Sequence, residues 1–128
     1  MTNRDLKVFF DGGCRPNPGP IEVAVVVRGQ VHLFDDLGPG SNTDAEWLAL
    51  IKAFEVATAL GETGFVLIGD ARAVIDQANG KVRCRGEALQ AHQARYAELA
   101  ERFPPVRIRW TARSQNLAGI ALAARHGR

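Results

Sequence analysis

LKVFFDGGCRPNPGPIEVAVVVRGQVHLFDDL, residues 6–37, is the stretch that decides the fold. Leu6 to Phe10 is apolar and aromatic, the composition of a strand. Asp11 to Pro20 is rich in Gly and Pro and reads as a loop, because neither residue continues regular structure easily. Ile21 to Arg28 is a β-branched run and so a second strand. Gly29 marks a tight turn, and Val31 to Leu37 reads as a third strand. Three strands joined by short connections make an antiparallel meander.

Beyond the meander the apolar period changes from that of a strand to that of a helix. Gly38 to Asn42 is a loop. Thr43 opens a helix to about Leu60, with Thr43 and Glu46 at capping-box spacing. Trp47, Leu48, Leu50, Ile51, Phe54 and Val56 surround this helix with apolar groups, which predicts burial on more than one side. Gly61 and Gly64 end it. Phe65 to Ile68 is a short strand, and Asp70 precedes a helix from Ala71 to Ala78. Glu87 to Phe103 is a third helix, stopped by Pro104-Pro105. Val106 to Trp110 alternates as a strand, and a last helix runs from about Asn116 to Arg125. This order predicts an α/β domain: a mixed sheet of about five strands, an antiparallel meander plus two parallel strands, flanked by helices.

The chain has 128 residues, 46% of them hydrophobic and 23% charged, enough for one domain over residues 1–128 with a real core. There is no repeat, low-complexity tract or linker. No apolar run reaches the roughly 20 residues of a membrane helix, and Met1 to Lys7 is too polar for a secretory leader. A cytoplasmic location, no membrane contact and no obligate protein partner are expected. Cys14 and Cys84 read as free thiols. His32, His92 and His126 lack zinc spacing, and no serine or cysteine stands in a nucleophile motif. The formal charge of +2 says little. Its distribution says more: Lys81, Arg83 and Arg85 cluster, and Arg107, Arg109, Arg113, Arg125 and Arg128 gather where no acidic residue follows Glu101. Solvated surface and a nucleic-acid footprint both fit that pattern.

Asp11 follows one strand, Glu46 lies in the first turn of the buried helix, Asp70 follows another strand, and Asn116 begins the last helix. Each has an ordinary structural use: a turn for Asp11, the capping box for Glu46, an N-cap for Asp70. Together they suggest something else. Asp11 and Asp70 end strands expected to be neighbours, where open α/β sheets bind ligands. A first-turn Glu can reach the same edge. Three carboxylates there repel unless cations lie between them, and hard divalent ions with oxygen ligands suit phosphodiester hydrolysis.

Val8-Phe9-Phe10-Asp11-Gly12-Gly13-Cys14 with Asn17-Pro18-Gly19-Pro20 resembles the first motif of type 1 ribonuclease H, Asp-Gly-x-x-x-x-Asn-Pro-Gly. Ser41-Asn42-Thr43-Asp44-Ala45-Glu46 resembles the second, Leu67-Ile68-Gly69-Asp70 the third, and Trp110 to Asn116 the fourth region. The resemblance runs from Lys7 to about Ala123. It implies the ribonuclease H-like three-layer fold and a metal-dependent endonuclease that hydrolyses the RNA strand of RNA–DNA hybrids. Asp11, Glu46 and Asp70 would be the catalytic, metal-binding carboxylates, with two Mg²⁺ or Mn²⁺ ions. Gly12, Gly13, Cys14 and Asn17 would lie along the RNA strand, Asn17 within reach of a 2′-hydroxyl. Asn42 and Thr43 would face the minor groove, Ser41 a phosphate pocket, and Arg113 and Asn116 the nucleic acid near the last helix.

The sequence departs from the family pattern at one decisive place. The family's last helix reads Asn-x-x-Ala-Asp-x-Leu-Ala. Here it reads Asn116-Leu117-Ala118-Gly119-Ile120-Ala121-Leu122-Ala123, which puts Ile120 where the fourth catalytic Asp belongs and weakens one ion site. The alternative is therefore an impaired module that binds hybrid or double-stranded nucleic acid without cutting. A 3′–5′ exonuclease would carry Asp-x-Glu on the first strand, and here that segment is Asp11-Gly12-Gly13.

Overall fold

The computed structural model describes residues 5–127, so Met1–Arg4 and Arg128 of the readings above lie outside the described residues. Strands β1 (Leu6–Cys14), β2 (Gly19–Val27) and β3 (Gln30–Phe34) form the meander. A two-residue strand β4 (Pro39–Gly40) pairs with the start of β2. Helix α1 (Asn42–Ala59) follows, then β5 (Phe65–Gly69), α2 (Arg72–Ala78), α3 (Glu87–Ala100), β6 (Arg107–Trp110) and α4 (Leu117–Arg125). The main sheet runs β3-β2-β1-β5-β6. Its first two pairings are antiparallel, and β5 lies parallel to both β1 and β6.

The meander and the two parallel strands match the sequence reading, with one correction that bears on function. Asp11 to Cys14 is strand, not loop: the ladder with β2 continues from Asp11↔Ala24 to Cys14↔Ile21. The paired backbone of β2 carries the strand through the two glycines. Asp11 thus sits inside β1 rather than at its end, and strand geometry dictates where its side chain points.

Helix α1 covers one face of the sheet and α4 the other, giving three layers. Val8 and Phe10 of β1, with Val23, Val25 and Val27 of β2, point toward α1, where Trp47, Leu50, Ile51 and Phe54 meet them fully buried. Phe54 makes edge-to-face contacts with Phe65, Tyr96 and Phe103 at 5.3–5.7 Å between ring centroids, which ties α3 onto α1. The opposite face is thinner: Ala24 and Val26 meet Ala118 and Leu122 of α4, with Phe9 alongside. The chain leaves α1 through Gly61, whose φ of +81° is the left-handed conformation that ends helices and that other residues resist.

Candidate active site

Two caps turn out differently from the sequence reading, and both differences free a carboxylate. The box at the start of α1 is made by Ser41 and Asp44, not Thr43 and Glu46. Ser41 Oγ accepts from the Asp44 amide, and the Asp44 carboxylate accepts from the Ser41 amide. The Glu46 side chain, released from capping, reaches β1 and accepts from the Gly12 amide at 3.1 Å. Helix α2 has Ala71 as its N-cap and no side-chain cap bond, so Asp70 is not its cap either.

Strand alternation sends Phe10 toward α1 and Asp11 toward α4. Gly12 lets α1 approach: a Cβ on it would lie 2.2 Å from the Ala45 carbonyl oxygen, so any side chain would push the first turn of α1, and Glu46 with it, off the strand. Asn116 fixes Asp70. Its amide nitrogen donates to the Phe10 carbonyl at 2.9 Å and to Asp70 Oδ2 at 2.8 Å. Its oxygen accepts from the Ala118 amide at 3.1 Å, capping α4. One fully buried side chain thus joins β1, the end of β5 and α4. The Trp110 indole donates to the Asp70 carbonyl from the other side.

The result brings Asp11, Glu46 and Asp70 together, with one carboxylate oxygen of each within 4.8 Å of the others. Burial, then the neighbouring Asp70, pushes Asp11 up to about 7. Burial, then Asp11 and Asp70, pushes Glu46 up to about 9. Arg113 acts the other way on both, more weakly. Asp11 and Glu46 hold on to protons that a hard divalent cation would displace, and the oxygen-only donor set of the three carboxylates fits Mg²⁺ or Mn²⁺. They open onto a cleft of about 390 Å³.

Among the other sequence-predicted residues, Gly12, Gly13, Cys14, Asn42 and Arg113 line the same cleft. Asn17 is exposed next to it, and its oxygen accepts from the Asn42 amide. Thr43 is exposed on the first turn of α1. Two residues act on the protein itself: the Ser41 hydroxyl is committed to the α1 cap, and Asn116 has no exposed atom to offer a strand.

The last helix presents to the cluster a different residue from the one the family pattern picks out. Ala118 and Leu122 face the sheet, and each residue turns the helix by about 100°. Gly119 therefore faces the carboxylates: a Cβ there would lie 3.6 Å from both Asp11 Oδ2 and Asp70 Oδ2. Ile120 turns away and is 52% exposed. The place on α4 from which a side chain would reach the cluster is a glycine. Two features escaped the sequence reading altogether. Arg72 stacks on the exposed Trp110 beside Asp70, 4.2 Å from the ring centroid. Glu22 of β2 lines the cleft. Alternation along Ile21–Val27 was the signal for Glu22, since it places that side chain on the Ala24 and Val26 face.

Comparison with known proteins agrees with this architecture. The reverse transcriptase-like family matches residues 9–126. Ribonuclease HI of Halobacterium salinarum is 34% identical over 123 residues, covering 92% of this chain and 62% of that protein. This chain thus spans less than two thirds of that relative's length. The putative hydrolase EbsB of Enterococcus faecalis is 32% identical over 124 residues, covering 92% and 90% of the two chains. The crystal structure of RNase H1 from H. salinarum superimposes with a TM-score of 0.82 at 31% identity, over 93% of this chain and 94% of that one.

Proposed function

This chain belongs to the reverse transcriptase-like family in its ribonuclease H-like form, and from that premise we propose that it is an endonuclease hydrolysing the RNA strand of RNA–DNA hybrids with Mg²⁺ or Mn²⁺. One observation carries the reading: Asp11, Glu46 and Asp70 converge from β1, α1 and the end of β5 with their oxygens within 4.8 Å. A fold that buries three like charges spends stability on them, and a cation-dependent reaction is a use that explains the expense. Bound ions would lower the pKa of an attacking water and stabilise the leaving oxygen. The chain's own residues do the rest. Asp11, Glu46 and Asp70 would hold the ions, and Asn116 keeps Asp70 in register with β1. Asn17 and Asn42 offer polar groups at the cleft mouth for the ribose 2′-hydroxyls that mark RNA. Arg113 places a positive charge beside the carboxylates, suited to a phosphate.

Binding without cutting is the second reading, and α4 favours it. By the resemblance the family's fourth Asp would fall on Ile120, and the residue that faces the cluster is Gly119; α4, Leu117–Arg125, carries no Asp or Glu to bring to the cleft. The test is cleavage of a labelled RNA–DNA hybrid with Mg²⁺ and then Mn²⁺, beside an Asp11→Asn control. Cuts in the RNA strand that vanish in the control support the nuclease. A hybrid that shifts in a gel but stays whole supports the binding module.

A further inference from the structure

The cleft has a fourth carboxylate, and it comes from the sheet rather than from α4. Glu22 pairs across the ladder with Gly13, and Asp11 pairs with Ala24, two residues along. Asp11, Gly13, Glu22 and Ala24 therefore share the face of the sheet that α4 covers. Glu22 lies along the cleft wall with its side chain only 12% exposed. Gly119 of α4 lines the same cleft and adds no side chain to it, and a Cβ there would lie 3.6 Å from Asp11 and Asp70.

The Glu22 carboxylate is also held in one orientation. Oε1 accepts from Arg125 at 3.3 Å and Oε2 contacts His126, both at the end of α4. Arg125 is shared between Glu22 and Asp35. That guanidinium spends its fork on Asp35, with contacts of 2.9 and 2.5 Å, and Asp35 is the partner that raises the Arg125 pKa most. A carboxylate oriented by outer donors, with a lone pair left on each oxygen, is how proteins fix groups that act on a metal or its waters.

We infer that Glu22 is the fourth carboxylate of this active site, reaching the water shell of the second divalent ion from β2 on the side that Gly119 leaves open. The inference rests on the nuclease reading, and its test separates the two. Mn²⁺ is titrated calorimetrically into the full chain, with thermal unfolding in EDTA run alongside. In Glu22→Gln the weaker ion loses about tenfold or more in affinity while the tighter one is unchanged. Glu22→Asp, which keeps the charge but draws it back by one methylene, gives a smaller loss at the same ion. Adding Gly119→Asp to Glu22→Gln restores the weaker ion, since a carboxylate then enters the same space from α4. A residue that merely braced the end of α4 would not be rescued in this way. Ion affinities in Glu22→Gln within twofold of the parent overturn the inference, as does a lost ion that Gly119→Asp fails to restore. A parent chain that neither binds Mn²⁺ nor differs from Asp11→Asn overturns the nuclease reading itself.

Discussion

Phe10 and Asp11 are neighbours on β1 and face opposite worlds. Phe10 is fully buried against α1, among groups that want nothing but each other. Asp11 points toward α4, among two other carboxylates and a helix that meets it with a glycine. The α1 side holds the fold together by burying apolar area, at about 25 cal/mol for each Å² removed from water. The α4 side gives part of that stability back, because burial and mutual repulsion make its carboxylates costly to ionise. Substitutions on the two faces should therefore move stability and activity in opposite proportions.

Asp11→Asn tests that claim with the largest effect. Loss of a metal-holding carboxylate removes several kcal/mol of transition-state stabilisation, so hybrid cleavage falls by about a thousandfold. The same change relieves repulsion, so the melting temperature in EDTA at pH 8 rises or holds. A clear fall in melting temperature would mean that the cluster is structural. Phe54→Ala is the opposite case. It removes the ring shared by Phe65, Tyr96 and Phe103 and costs about 3–5 kcal/mol of stability. Mn²⁺ affinity of the folded fraction should stay within twofold.

Asn116 belongs to both faces and should show both losses. Asn116→Ala leaves the Phe10 carbonyl without its buried donor, frees Asp70 and removes the α4 cap. Denaturant unfolding should register a loss of about 2–4 kcal/mol, and cleavage should drop by about 10–100-fold as Asp70 loses its orientation. A loss of stability with unchanged cleavage would place Asn116 wholly with the framework.

The pH dependence of stability distinguishes the faces without a mutation. In the metal-free fold Asp11 and Glu46 keep protons that the unfolded chain releases near pH 4. Their contribution is thus fully present below about pH 4 and is lost as pH rises through about 7 and then about 9. Asp44 is the reverse case: hydrogen bonds from Ser41 and His92 hold it low, so its contribution is present above the ordinary range and lost in acid. Scans in EDTA should show the melting temperature falling between pH 5 and pH 9, by about 5 °C. Mn²⁺ should restore more at pH 9 than at pH 5. A flat profile would mean that Asp11 and Glu46 are better solvated than their burial implies.

Much of this was legible in the sequence, for reasons that differ by element. The meander and α1 were read from period and composition, which depend on neighbours a few residues away. Asp11, Glu46 and Asp70 were found as three residues with ordinary uses each, and their convergence depends on the β1–β5 pairing that helical crossovers predict. Local rules failed where a distant partner decided. Thr43 and Glu46 have capping-box spacing, but Ser41 and Asp44 took the box, which let Glu46 reach across to Gly12. Glu22 was passed over because alternation tells only which face it takes, while the cleft on that face is completed by Asp70, Arg113 and Gly119, far away in sequence.

The smallest predicted effect bears on the same lesson. Counting from Asn116 by the family pattern assigns the missing carboxylate to Ile120, whereas the rotation of α4 assigns it to Gly119, one residue and about 100° away. The two assignments diverge in a simple pair of variants. Gly119→Asp puts a carboxylate where a Cβ already stands 3.6 Å from Asp11 and Asp70, so Mn²⁺ should bind more tightly and, without metal, the fold should weaken. Ile120→Asp places the same charge on a half-exposed surface, so ion affinity and melting temperature should both stay nearly unchanged. If Ile120→Asp tightened the ions and Gly119→Asp did not, α4 would have to sit one residue further round when metal is bound, and the thin α4 face, held by little more than Ala24, Val26, Ala118 and Leu122, would be the part of the fold that gives.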